Sequence, residues 1–380
     1  MLARRSSPLV LVLALTASAC GAFSRADTLA TRTPPAIAPS TTIPSTTVAV
    51  RPTTAPATAP PSVLPEPGPT HRRKPHPTPS VLPSPSPSPS PPKPPPSPSP
   101  SPSPSPPAPS PAAPDLTAYG GLGTWIDIYD NSDVFGPQAF GDPARSVAVM
   151  KANGVRTVFL EAGSYRHPPV EFPDATAAFI GAAHAAGLKV IAWYLPLFRN
   201  VSHDFAETMR VIGFRTSDGQ GYDGFAMDIE AAIVPPAERI ANFLRLSTMV
   251  RQAVGPSYAL GAIIPSPRGL IRVPTYWPGF PYSQLPRYFD VILPMSYFTF
   301  HEHGAAAVAQ YVSDNVAIIR QETGDPAIPI HVIGGIADDM TPDESVAFAQ
   351  AAESAHVFGA SLYEFDRTSD FEWRTLAPLR

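Results

Sequence analysis

Tyr222-Asp223-Gly224-Phe225-Ala226-Met227-Asp228-Ile229-Glu230 reads as a strand, and beyond it Pro235 stands where a helix begins, with apolar residues at helical spacing over 236–254. A second run rich in β-branched and apolar residues follows at 258–264. Strand, helix and strand in this order make a parallel crossover unit, because two parallel strands need a long connection between them.

The same unit recurs on both sides. Strand-like runs bounded by turn residues lie at 123–129, 155–161, 188–195, 222–230, 258–264, 290–297, 330–336 and 357–365, which makes eight. Helical periodicity fills 143–152, 174–186, 236–254, 305–321 and 342–354. Asp142, Asp174, Pro235 and Thr341 occupy cap or first-turn positions, and Asn153-Gly154 and Ala186-Gly187 close two helices. Eight alternations over residues 115–380 predict a single α/β domain, a (β/α)8 TIM barrel. A doubly wound open sheet would alternate in the same way. However, no Gly-x-Gly-x-x-Gly follows the first strand, and Gly120-Gly121-Leu122-Gly123 precedes it, which lowers a dinucleotide reading. The proline- and aromatic-rich interval 265–287 reads as a long ordered loop.

Ahead of the barrel, Arg4 and Arg5, an apolar run over 8–15 and Ala17-Ser18-Ala19 form the three parts of a secretory signal over residues 1–19. Cys20, the only cysteine, stands directly after the small-residue site, where a bacterial lipoprotein carries its lipid. The expectation is an extracytoplasmic protein anchored to the bacterial cell membrane through Cys20, the alternative being simple secretion. One cysteine permits no internal disulfide. Residues 20–114 are dominated by Pro, Ser, Thr and Ala, a composition that buries too little apolar surface to fold and reads as a disordered linker. The chain has 27 basic and 31 acidic residues, of which nine basic and two acidic precede Asp115, so the barrel carries about −11. Such a charge argues against nucleic acid as a partner. A monomer is expected.

In a barrel of this kind chemistry gathers at the C-terminal ends of the strands. Asp228 and Glu230 share one face of the fourth strand because side chains alternate. If that face is the interior, two carboxyls at low dielectric cannot both ionise easily, and one acquires the raised pKa a general acid needs. Glu230, nearer the strand end, is then the proton donor and Asp228 its orienting partner. Asp127 and Asp130 near the end of the first strand, Glu161 on the second and Glu364 on the eighth could add carboxyls to the mouth. Trp125, Trp193, Tyr194, Trp277, Tyr297 and Tyr363 fall near the same rim and suit stacking on sugar rings. Asp338 and Asp339 follow the seventh strand, where a second carboxyl would serve a covalent or inverting mechanism. His301 and His303 lack a third spaced ligand, so neither a metal nor a cofactor is expected.

The fourth strand resembles the signature of the chitinase-type glycoside hydrolases of family 18, Asp-Gly-x-Asp-x-Asp-x-Glu, with Ala226 in place of one aspartate. Met295-Ser296-Tyr297 is similar to that family's Met-x-Tyr-Asp, with Phe298 where the acid stands, and Tyr363 lies where it has a tryptophan. The resemblance extends loosely over the whole barrel. It implies that Glu230 protonates the glycosidic oxygen, that the substrate's N-acetyl oxygen is the nucleophile, and that Asp228 and Tyr297 hold the acetamido group. It also implies a substrate-contacting rim to which Met295 belongs. The sequence departs from the family on the third strand, where Ile191-Ala192-Trp193-Tyr194 replaces Ser-x-Gly-Gly, and between Ile336 and Thr341, which leaves no room for an inserted domain.

These features predict a glycoside hydrolase acting on an extracellular or cell-wall polysaccharide. A carbohydrate-binding barrel without catalysis and a wall-anchored scaffold are the alternatives.

Overall fold

The computed structural model describes residues 112–129 and 138–380. The signal segment, Cys20, the linker up to residue 111 and Asp130 lie outside the described residues.

Eight parallel strands close into a barrel in sequence order: β1 (Gly121–Ile126), β2 (Thr157–Ser164), β3 (Lys189–Leu195), β4 (Gly224–Asp228), β5 (Leu260–Pro265), β6 (Val291–Met295), β7 (His331–Ile336) and β8 (Gly359–Tyr363). The outer ring comprises α1 (Gln138–Gly141), α2 (Pro143–Ala152), α3 (Pro173–Ala185), α4 (Val201–Gly213), α5 (Pro236–Val254), α6 (Pro267–Arg272), α7 (Ala305–Thr323), α8 (Pro342–Ser354) and α9 (Asp370–Thr375). The ends of the helices follow their caps. Asp142 accepts from the Arg145 amide, and Thr341 and Glu344 form a reciprocal capping box on α8.

Three expectations are corrected. β1 begins at Gly121 and ends at Ile126, so most of the glycine run belongs to the strand and Asp127 lies just past it. β4 ends at Asp228, which leaves Glu230 two residues beyond the sheet. The interval 265–287 is not a plain loop: Ser266 caps α6 by accepting from the Gly269 amide, and a 3-10 turn covers Tyr282–Arg287.

Alternation along the strands splits the core in two. Outward residues pack beneath the helices, while Tyr119, Trp125, Phe159, Ile191, Trp193 and Ala226 belong to a separate interior cluster. At the lower end Tyr119 plugs the barrel and donates its hydroxyl to the Phe225 carbonyl at 2.8 Å. His331 is fully buried beside it. Its Nδ1 lies 2.8 Å from the Tyr119 carbonyl, an obligatory acceptor, so Nδ1 carries the proton and Nε2 accepts from Ser361 at 3.0 Å. Ser361 Oγ in turn accepts from Trp125 Nε1 at 2.7 Å. A polar chain of fixed direction thus runs up the interior and sets the Trp125 ring.

Glycine makes room for this plug. A Cβ on Gly359 would overlap the His331 ring and the carbonyls of Tyr119 and Gly121. Gly359→Ala is therefore expected to cost about 3 kcal/mol, whereas Gly213→Ala, with open space around it, should change little. Urea midpoints at unchanged m-value measure both.

Candidate active site

The register of the strands places the site. Glu161, Trp193, Ala226 and Gly261 are successive partners across β2, β3, β4 and β5, and Asp228 pairs one step higher with Ile263. Asp228 and Glu230 both point from that interior side into a narrow cleft at the C-terminal mouth, together with Trp125, Trp193, Met295, Tyr297 and Tyr363. Ile263 and Ile333 complete the lining.

Because Glu230 has no sheet partner, other groups must hold it. The Ile229 amide still donates to the Ile263 carbonyl at 2.8 Å, and the Tyr276 hydroxyl donates to the Glu230 carbonyl at 2.7 Å. Tyr276 is itself pinned: Arg239 on α5 donates to its carbonyl at 2.8 Å and stacks over Trp277 with the guanidinium carbon 4.1 Å from the ring centroid. Tyr276→Phe removes one bond from this strut and is expected to cost about 1 kcal/mol of stability, read as a lowered urea midpoint with an unchanged circular dichroism spectrum.

Both carboxyls are nearly withdrawn from water, Asp228 being 5 % and Glu230 6 % exposed. Burial pushes the Glu230 carboxyl up to about 8, and Arg166 opposes this only in part. Burial, and next the charge of Glu230, push Asp228 well above the usual carboxylate range. Oδ1 of Asp228 has no hydrogen-bond partner among the described residues. Tyr297, half-buried and facing these carboxyls, is raised well above its ordinary value and stays a phenol, able to donate.

The aromatic residues form a continuous wall. Trp193 meets Trp125 with ring centroids 6.1 Å apart, Trp125 meets Tyr363 at 6.4 Å, and Tyr363 meets Tyr297 at 5.8 Å. The Tyr363 hydroxyl donates to Asp127 Oδ2 at 3.0 Å, while Asp127 Oδ1 accepts from the Tyr129 amide at 2.8 Å. The Asp127 amide donates to Glu364 at 3.1 Å, tying the ends of β1 and β8 together.

Of the residues the sequence nominated, the structure brings Asp228, Glu230, Tyr297, Trp125, Trp193, Met295 and Tyr363 to the cavity. Tyr194 and Trp277 are not among the lining residues. Tyr194 faces outward because it neighbours Trp193 on the same strand, and it packs in the outer core. Trp277 is also in the outer core, against Phe198, Phe280 and Arg239. Asp127, Glu161 and Glu364 sit behind the wall instead of on it. Neither Asp338 nor Asp339 lines the cavity, and Asp338 faces Arg367 at 3.4 Å. His303 pairs with Glu344 at 3.8 Å. Among the described residues no group of three or more His, Cys, Asp or Glu is arranged to hold a metal ion. The residue sequence reasoning missed is Tyr276. It lies in the one interval without helical or strand periodicity, so no pattern aimed it at the site.

No family model matches the chain, and no curated protein matches its sequence. Similarity appears among solved structures. An exo-beta-1,4-mannosidase from Opitutaceae bacterium strain TAV5 superposes with a TM-score of 0.52 at 13% identity, covering 71% of this chain and 62% of the mannosidase. A class V chitinase from Pseudomonas fluorescens Pf-5 gives 0.51 at 10% identity, covering 69% of this chain and all of that one. A family 18 chitinase mutant from Cycas revoluta, in complex with (GlcNAc)4, gives 0.50 at 10% identity, covering 68% and 98%. The barrel is shared with glycoside hydrolases. At these identities the likeness is one of fold, and this chain spans less than two thirds of the mannosidase's length.

Proposed function

We propose that the barrel is a glycoside hydrolase that acts on a polysaccharide outside the cytoplasm. Glu230 is its general acid, Asp228 the orienting partner, and Tyr297 a hydrogen-bond donor to the substrate. The observation that carries this reading is the buried Asp228–Glu230 pair at the mouth of the barrel, inside a cavity walled by Trp125, Trp193, Tyr297 and Tyr363. The shared fold adds support, since the similar structures are named as mannosidase and chitinases.

A sugar ring seated on the aromatic wall would bring its glycosidic oxygen to Glu230. The Glu230 proton passes to that oxygen as the C–O bond breaks, and the bonding electrons leave with the oxygen. The resulting carboxylate then takes a proton from the attacking water. Asp228, at the end of the strand beside it, orients the reacting group. Because Asp338 and Asp339 are not in the cavity lining, the geometry favours a mechanism run from β4 over one with a nucleophile after β7. In the same reading residues 1–19 direct export, Cys20 carries a lipid, and residues 20–114 hold the barrel away from the membrane.

A second reading, sugar binding without cleavage, is favoured by Ala226 and by the unpartnered Oδ1 of Asp228. Incubating the protein with chitin oligomers, β-mannan and peptidoglycan fragments separates the two. Product release is the expected result. Binding without turnover, weakened at least tenfold in Trp193→Ala, would move the protein to the second reading, and neither binding nor turnover would end both.

A further inference from the structure

Of the three exposed phenylalanines among the described residues, Phe172, Phe300 and Phe358, Phe300 alone meets a ring of the cleft. It is 40 % exposed and lies outside the lining, and its ring centroid stands 5.9 Å from that of Tyr297 with the planes at 88°. The row of rings formed by Trp193, Trp125, Tyr363 and Tyr297 thus continues by one more, out of the cleft and onto the surface.

The turn that carries Phe300 is braced on two sides. It is a 3-10 turn over Phe298–Phe300, just beyond the end of β6. Phe298 is fully buried and packs on Phe348 of α8 with centroids 6.0 Å apart. Thr299 Oγ1 accepts from the Ile336 amide at 3.1 Å, which fastens the turn to β7. From α6, Arg272 donates to the His301 carbonyl at 3.1 Å and faces Glu302 at 3.7 Å. The Phe300 ring is therefore held in place before any ligand arrives, and little freedom is lost when one does.

An apolar ring left partly in water gains when another apolar face covers it. Polar groups stand next to it along the chain and on α6: the His301 ring, with its centroid 6.3 Å from that of Phe300, and the Arg272–Glu302 pair. A pyranose presents C–H groups on its faces and hydroxyls around its edge. A fixed ring flanked by hydrogen-bonding groups answers to both.

We infer that Phe300 is an outer sugar-stacking subsite, which takes a pyranose unit of the same glycan further along the chain from the bond at Glu230. This rests on the reading of the cleft as a sugar site. It also names the substrate class, a chain of several sugars, because a single ring seated in the cleft does not extend past Tyr297 to Phe300.

The full chain is compared with Phe300→Ala, which removes the ring, and Phe300→Tyr, which keeps it. Calorimetric affinity and steady-state kinetics are measured on oligosaccharides of two to six sugars from chitin, β-mannan and peptidoglycan. The parent should hold the hexamer of its preferred series more tightly than the dimer. Phe300→Ala should weaken the hexamer about three- to tenfold and leave the dimer within about twofold, while Phe300→Tyr binds both as the parent does. On the hexamer the loss should fall on KM, with kcat unchanged. A parent indifferent to chain length, an Ala variant with full hexamer affinity, or one weakened equally at every length overturns the inference and leaves the proposed function standing. A parent that binds with the expected length dependence but cleaves nothing ends the hydrolase reading, and the binding arm then decides the subsite by the same criteria. A parent that binds no oligosaccharide ends both.

Discussion

Glu230→Gln should lower kcat by about two to four orders of magnitude on any glycan the parent cleaves, while KM changes by no more than a few-fold. Gln has the size of Glu and keeps the side-chain oxygen, so the aromatic wall and the Tyr276 bond to the Glu230 carbonyl remain in place. Only the transferable proton is lost. Asp228→Asn should fall between parent and Glu230→Gln, because it removes the orienting carboxyl and leaves the proton donor. The parent's activity should be lost as pH rises through the Glu230 value, about 8. A Glu230→Gln protein as active as its parent would exclude this residue as the acid.

The same substitution should make the barrel more stable, increasingly so as pH rises. Between the unfolded value near 4.5 and the folded value of about 8, the folded state keeps a proton on Glu230 that the unfolded chain releases. The native state then binds more protons, so stability falls with rising pH across that window. Asp228, shifted in the same direction, adds to the effect. His331 acts at the other end, since burial lowers it to about 4. Between that value and 6.5 the unfolded chain binds the extra proton, so stability falls as pH drops. Between 4.5 and 6.5 the two effects oppose each other, and above 6.5 only the carboxyl effect acts on the parent. Relative to it, Glu230→Gln should gain roughly 2–4 kcal/mol by pH 8.5 and almost nothing at pH 4.5. Urea midpoints at both pH values measure the difference, and an equal gain at both would rule out protonation as its source.

Both expectations start from a motif visible in the sequence, and the period of two explains why. Asp228 ends the strand and Glu230 follows two residues beyond it, and both still reach the mouth on the same side. The same period also excludes Tyr194 once Trp193 faces inward, because neighbours on a strand point to opposite sides. Trp277 was harder to place, as it lies in a segment where prolines suppress both periodicities and only three-dimensional packing shows that Arg239 covers its face. Tyr276, its neighbour, reaches Glu230 through a bond to backbone, which leaves no trace in side-chain pattern.

The distribution of indole rings has a practical consequence. The chain has four tryptophans. Trp125 and Trp193 face the cavity, whereas Trp277 and Trp373 are buried in the outer core. Half of the indole rings thus line the surface a glycan would cover. Replacing Trp277 and Trp373 by Phe would leave an emission signal that reports occupancy of the mouth alone. Affinities could then be followed optically for unlabelled oligosaccharides, including those the protein holds without cutting.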